Sequence, residues 1–285
     1  MFASPRCPIL SFCVRVTIVM SQSTSMGDYC GRIWKYRYFW MSLVKLDLQA
    51  RYRRSMLGIG WSLLHPIAMT TVLCVVFHQM FKLDLRQYAP FVLSGIATWN
   101  YLTAVTLEGC HSLLTGEKFI RSHPLPMAIY PLRTVLSVGF HFVIILALTI
   151  LLAWAAHPLS NPLALLTLVP TLVLLFLFGW SMAVLFGFAN IYFPDTHHLT
   201  QIAFQVLYYL TPVFYPADLM KIKLLHAIVA YNPLGNFVML IRDPLLNARS
   251  PSMATFGLAG LTVFLTCCAA IYTLKRQERK VIFYM

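Results

Sequence analysis

Acid is scarce in this chain. Nine carboxylates occur among 285 residues, and charged side chains of both signs make up only 11%. Soluble domains carry about a quarter charged residues, so the composition argues against a soluble globular enzyme. Eight of the nine acids (Asp28, Asp47, Asp84, Glu117, Asp195, Asp218, Asp243 and Glu278) fall in expected loops, helix ends or interfacial segments. Glu108 alone falls inside an apolar run, where pairing with a neighbour is the simplest role for it. An ion-coupled carrier keeps ionisable groups or broken helices near mid-membrane, and one peripheral glutamate is thin support for that. A membrane-bound glycosyltransferase or acyltransferase needs a cluster of acids, bases or ligands, and none can be assembled here.

Other motifs are missing too. The seven cysteines are scattered apart from Cys267 and Cys268, with no Cys-x-x-Cys, so neither a disulfide framework nor a zinc site is expected. No Gly-x-x-x-x-Gly-Lys-[Ser/Thr] occurs, which excludes ATP binding through a P-loop. Gly58-Ile59-Gly60 is too short for a dinucleotide fingerprint. His197 and His198 are adjacent rather than four apart on a helix face, and His65, His78 and His141 are dispersed. No catalytic, cofactor-binding or metal residue is expected, and the chain does not read as an enzyme.

What is present is grease and positive charge: 59% hydrophobic residues and a net charge of +13. Nucleic-acid arms are basic as well, but they do not lead straight into runs of about 18 or more apolar residues. Six such runs are candidate spans: 60–81, 90–113, 128–156, 162–191, 199–215 and 252–274. The expected fold class is therefore an all-α polytopic membrane protein. Residues 216–251 contain Pro216, Pro233, Pro244 and Pro251. They read as broken, re-entrant or interfacial pieces, which membranes tolerate only where protein or a watery cavity meets the backbone. Putting the N-terminus inside places sixteen Lys and Arg on the inner side against six outside. That bias predicts both termini in the cytoplasm.

Before the first span, residues 34–57 have helical periodicity. Phe39, Leu43, Leu46 and Ala50 form an apolar stripe opposite Lys35, Ser42, Lys45, Gln49 and Arg53. Trp34 and Trp40 suit the headgroup level, so the segment is expected to lie in the membrane interface with its basic face toward anionic lipid. The first twenty residues resemble a signal peptide only weakly, because Arg15 interrupts their apolar part. They read as an over-extended start, with Met20 or Met26 as the initiator. The expected plan is an extension over 1–33, the interfacial helix over 34–57, six spans over 58–274 and a basic cytoplasmic tail over 275–285.

Several phrases resemble one family, the type-2 ABC-transporter permeases that export O-antigen, capsule and teichoic-acid polysaccharides. They are RYRRSMLGIGWSLLHPI (51–67), YAPFVLSGIATWNY (88–101), FIRSHPLPMAIYPL (119–132), YFPDTHHL (192–199), YYLTPVFYP (208–216) and YNPLGNFVMLIRDPLL (231–246). Order and spacing are kept over about two thirds of the chain. Ser122 and Leu125 stand where the family commonly has Lys and Phe, and Pro194-Asp195 where it often has Arg-Asp. The resemblance implies a homodimer of permeases joined to a separate ATPase subunit that holds ATP and Mg. Its cargo would be a lipid-linked glycan, carried across a bacterial inner membrane.

The resemblance also implies roles for residues. Lys118, Phe119, Ile120 and Arg121, in the loop after the second span, would dock and couple to the ATPase, with Pro124 and Pro126 stiffening the exit by fixing φ. A glycan path must be polar, because hydroxyls left unmet in hydrocarbon cost roughly 2–7 kcal/mol each. Aromatic faces can cover sugar C–H faces beside it. The candidates are Trp99, Asn100, Tyr101, Tyr208, Tyr209, Phe214 and Tyr215, with Tyr231 and Asn232 at the outer mouth. Arg51, Arg53 and Arg54 would meet either lipid headgroups or the lipid pyrophosphate. A type-2 exporter of drugs or small lipids shares the architecture, so the substrate class stays open at this point.

Overall fold

The structure, a computed structural model, describes residues 26–53, 55–122, 125–156, 162–215, 232–281 and 284. The extension before Met26, Arg54, Pro124, Pro216 and Tyr231 lie outside the described residues. Among those described, every regular element is a helix: α1 (Met26–Lys35), α2 (Arg37–Tyr52), α3 (Gly60–Phe81), α4 (Leu85–Ser112), α5 (Glu117–Ser122), α6 (Ile129–Ala156), α7 (Pro162–Leu165), α8 (Leu168–Tyr192), α9 (Thr196–Leu210), α10 (Pro233–Leu246) and α11 (Met253–Val281).

Among the described residues four helical stretches are long and apolar enough to cross a membrane: Gly60–Phe81, Ile129–Ala156, Leu163–Tyr192 and Met253–Glu278. The expected runs 90–113 and 199–215 are helical but fall outside that set. For α9 the reason is length. Its 15 residues rise about 22 Å at about 1.5 Å each, short of about 30 Å of hydrocarbon. For α4 the reason is polarity: it carries Arg86, Gln87, Asn100, Glu108 and His111.

That polarity is tolerated because α4 is the central helix, packed against α3, α6, α8, α9 and α10. Its close neighbours require small residues. A Cβ on Gly109 would stand 2.6 Å from the Ala183 Cα, so only glycine lets α4 and α8 approach this closely. The main core runs from Tyr88, Leu93 and Leu102 on α4 to Phe142 on α6, Phe178 on α8 and Phe237 on α10. A second core gathers Leu113, Ile120, Met127, Tyr130, Phe188 and Leu274, with Tyr29 and Ile33 of α1 packed against it.

Local signals set the boundaries. Lys82 takes a left-handed conformation (φ 52°) and its N–H returns to the His78 carbonyl, closing α3. Asp84 then caps α4 by accepting from the Arg86 N–H at 3.0 Å. Asn232 caps α10 in the same way through the Leu234 N–H, with Pro233 at the first helical position. Of the region expected to be broken, 216–251, the described part from residue 232 onward holds one regular helix, α10.

The N-terminal helix differs from expectation in extent and facing. It starts at Met26, is interrupted at Tyr36 and ends at Tyr52. Leu43 is buried, but Leu46 and Ala50 are exposed, and the inward stripe runs through Phe39, Leu43, Asp47 and Leu48. Asp47 turns inward because both its carboxylate oxygens accept from the Arg133 guanidinium on α6. A fixed charge partner overrides the hydrophobic period here.

Candidate functional site

A groove of about 340 Å³ opens between α3, α4 and α9. Antiparallel packing of α4 on α9 brings every fourth residue or so to one wall: Asn100 and Thr103 from one helix, Gln201 and Gln205 from the other. His65 of α3 completes the polar set, while Trp99, Phe204, Tyr208 and Tyr209 supply aromatic surface. Among the described residues no carboxylate lines it. The Thr103 hydroxyl is buried without a hydrogen-bond partner among the described residues, so it has capacity for a polar ligand. Amides that both donate and accept, placed beside flat rings, match a neutral polyhydroxylated chain.

The groove brings together four of the expected path residues. The Trp99 ring sits 5.9 Å from both Phe204 and Tyr208 and is largely buried, while Tyr209 is exposed. Asn100 lies one residue on. Tyr101, by contrast, points the other way. It is buried against Phe142, and its hydroxyl donates to the Leu175 carbonyl at 3.1 Å. Tyr101 lies two positions, about 200° of helical turn, from Trp99, so the two rings face opposite sides of α4.

Phe214 and Tyr215 stand behind the groove. Phe214 packs on Tyr208 at 5.4 Å, and the Tyr215 hydroxyl donates to the Tyr209 carbonyl at 2.9 Å. Asn232 is committed elsewhere: its amide donates to Thr211 Oγ1 at 2.7 Å while its carbonyl caps α10. Tyr231 lies outside the described residues.

Arg242 fixes the outer part of this wall, and the sequence reading missed it. Only 3% exposed, its guanidinium donates to the carbonyls of Pro212, Val213 and Phe91 and lies 3.8 Å from the Phe91 ring centroid. Carbonyl dipoles and a π face take the place of a carboxylate. Gly95 makes room for it, since a Cβ there would stand 2.2 Å from the Val213 oxygen and 2.3 Å from Arg242 Nη2. Thr103, Gln201 and Gln205 were missed as well. Their helical spacing on otherwise apolar segments was the available signal.

At the other end of the groove the rings of His111 and His197 are 4.6 Å apart. Among the described residues no group of three or more ligand-type side chains could hold a metal ion.

The loop after α4 makes a single 3₁₀ turn (Leu114–Gly116) and then α5. Lys118, Phe119 and Arg121 are exposed on α5, with Arg121 paired to Glu117 at 2.8 Å and Phe119 edge-on to Phe39 of α2 at 5.7 Å. Ile120 turns inward into the second core, so it cannot belong to the same exposed surface as Phe119. Of the three arginines before the first span, Arg51 is paired with Glu108 at 2.5 Å, Arg53 is exposed and Arg54 lies outside the described residues.

Residues 38–246 match the ABC-2 type transporter family. The chain belongs to that family. With four span-length apolar helices, it is a multi-pass membrane protein. Family membership places it in an ABC transporter system that includes an ATPase partner. Similar proteins include an O-antigen export system permease protein RfbA from Myxococcus xanthus, 24% identical over 86% of this chain and 95% of its own length. A second RfbA, from Klebsiella pneumoniae, is 24% identical over 70% of this chain and 77% of its own. The polysialic acid transport protein KpsM of Escherichia coli is 20% identical over 70% and 78%.

Proposed function

We propose that this chain is the membrane-spanning permease subunit of an ATP-driven exporter that moves lipid-linked polysaccharide or oligosaccharide across the bacterial cytoplasmic membrane. The observation that carries the reading is the groove between α3, α4 and α9: amides, a hydroxyl and aromatic rings, with no carboxylate among the described residues. Sugars present hydroxyls at their edges and C–H faces above and below, and such a wall serves both without a fixed charge to trap the chain. The similarity to O-antigen and polysialic acid transport proteins supports the same substrate class over drugs or small lipids.

In this scheme α4, and α9 together with residues 211–215 that continue it, cross the membrane beside the four apolar helices, giving six spans with both termini in the cytoplasm. α1 and α2 lie at the inner membrane interface. The chain acts as a homodimer with a separate ABC ATPase, which holds ATP and Mg, and α5 is the surface that ATPase meets. Lys118, Phe119 and Arg121 supply charge and an apolar knob, while buried Ile120 roots α5 in the second core. Arg53 remains exposed to meet lipid headgroups or a lipid pyrophosphate, whereas Arg51 is engaged by Glu108.

Deleting the permease tests the assignment. Lipid-linked glycan should then accumulate on the cytoplasmic leaflet, and restoring the chain should return it to the outer surface. Unchanged glycan display accompanied by lost drug efflux would contradict the proposal.

A further inference from the structure

The second core holds an acid that the transport scheme leaves unused. Glu278 lies near the end of α11, and its Oε1 accepts from the Met127 N–H at 2.9 Å and from the Tyr29 hydroxyl at 3.2 Å. The Tyr29 oxygen in turn accepts from the Ala128 N–H at 3.4 Å, and the Ala128 carbonyl accepts from the Trp180 indole at 3.5 Å. α1, α8 and α11 therefore converge on two consecutive residues of one turn.

That turn is well placed to matter. Met127 and Ala128 sit between α5 and α6, and both are buried, at 2% and 0% exposure. Their N–H groups cannot turn to water, and an orphaned buried donor is costly. Burial first, and the Glu278 charge second, hold the Tyr29 hydroxyl above the ordinary phenol range, so it remains a donor. Around the turn Ile120, Tyr130, Phe188 and Leu274 pack into one apolar cluster, which ties α5, α6, α8 and α11 together beside Met127 and Ala128.

We propose that Glu278 is a positioning residue for ATP-driven export: its carboxylate, on the last helix, fixes the turn through which α5 is joined to α6. A push on α5 then displaces α6 and α11 together instead of flexing the connection. The proposal rests on the reading of α5 as the ATPase-facing surface.

The test uses the whole permease–ATPase complex in liposomes and reads ATP hydrolysis and glycan export separately. Glu278→Ala removes the acceptor, Tyr29→Phe removes the bridging hydroxyl, and Glu278→Gln keeps an acceptor oxygen. Because a buried unsatisfied donor costs on the order of a tenfold shift in an equilibrium, export per ATP should fall about tenfold in Glu278→Ala and in Tyr29→Phe. Complex recovery and hydrolysis should stay near wild type, and Glu278→Gln should restore most of the loss. Unchanged export per ATP in Glu278→Ala would overturn the proposal. So would a parallel loss of complex, hydrolysis and export in all three variants, which marks a role in folding alone. Cross-linking of Lys118→Cys to the ATPase separates the two readings. A missing cross-link removes the α5 assignment and this proposal with it; a cross-link with unchanged export per ATP removes this proposal alone.

Discussion

The Arg51 guanidinium donates to the Glu108 carboxylate at 2.5 Å, tying the end of α2 to the central helix α4. The one acid inside an apolar run is thereby neutralised by a residue 57 positions earlier in the chain. Both side chains are about 40% exposed, so the pair is screened and contributes less than about 1 kcal/mol. The Arg133–Asp47 pair is better shielded and bidentate, and bonds to charged groups contribute about 1.5–3 kcal/mol. Arg133→Ala should therefore destabilise the detergent-solubilised protein clearly more than Arg51→Ala. Thermal unfolding of the two variants checks the order, and equal shifts would refute it.

The contact between Gly95 and Arg242 makes a second expectation. Adding a methyl group where Val213 O and Arg242 Nη2 already stand should destabilise Gly95→Ala by about 1–3 kcal/mol, the usual range for overpacking. Arg242→Lys should also fail to restore the wall, because a point ammonium cannot reach three carbonyls as a planar fork does. Recovery of monodisperse protein and its unfolding temperature would show both effects; wild-type behaviour of Gly95→Ala would contradict the close approach.

Neighbours on α4 separate path from core. Trp99→Ala and Tyr208→Ala, on the groove side, should reduce glycan export while hydrolysis continues. Tyr101→Phe, on the core side, loses one hydrogen bond worth about 1 kcal/mol and should leave export unchanged. Parallel export and stability measurements on the three variants decide which face carries the glycan.

Adjacent residues of α5 give the same kind of contrast. Replacing Phe119 and Arg121 by alanine should weaken recovery of the ATPase while the permease still inserts. Ile120→Ala should act on the permease itself, costing about 2–5 kcal/mol as a buried large-to-small change. Pull-down yields and unfolding temperatures distinguish the two outcomes.

The helices were legible in the sequence because apolar runs of this length leave few alternatives, and the expected runs overlap α3, α4, α6, α7 with α8, α9 and α11, although run 252–274 stops seven residues before α11 ends at Val281. Facing was less legible. Leu46 and Ala50 continue the apolar period of α2, yet Asp47 takes the inward position because Arg133 waits across the contact. The same holds for Tyr101 and Ile120, whose neighbours in sequence were counted with them although helical geometry sends them to the opposite side. Arg242 escaped notice because a lone arginine beside Asp243 looks like a surface charge. Only packing shows it caged by the carbonyls of Pro212, Val213 and Phe91.

One experiment bears most directly on the transport assignment. Purified permease and its ATPase, reconstituted in liposomes that carry a labelled lipid-linked glycan on the ATPase side, should make that glycan accessible on the opposite side only when ATP and Mg are supplied. Movement at the same rate without ATP, or none while a fluorescent drug is carried across, would contradict a glycan-exporting permease.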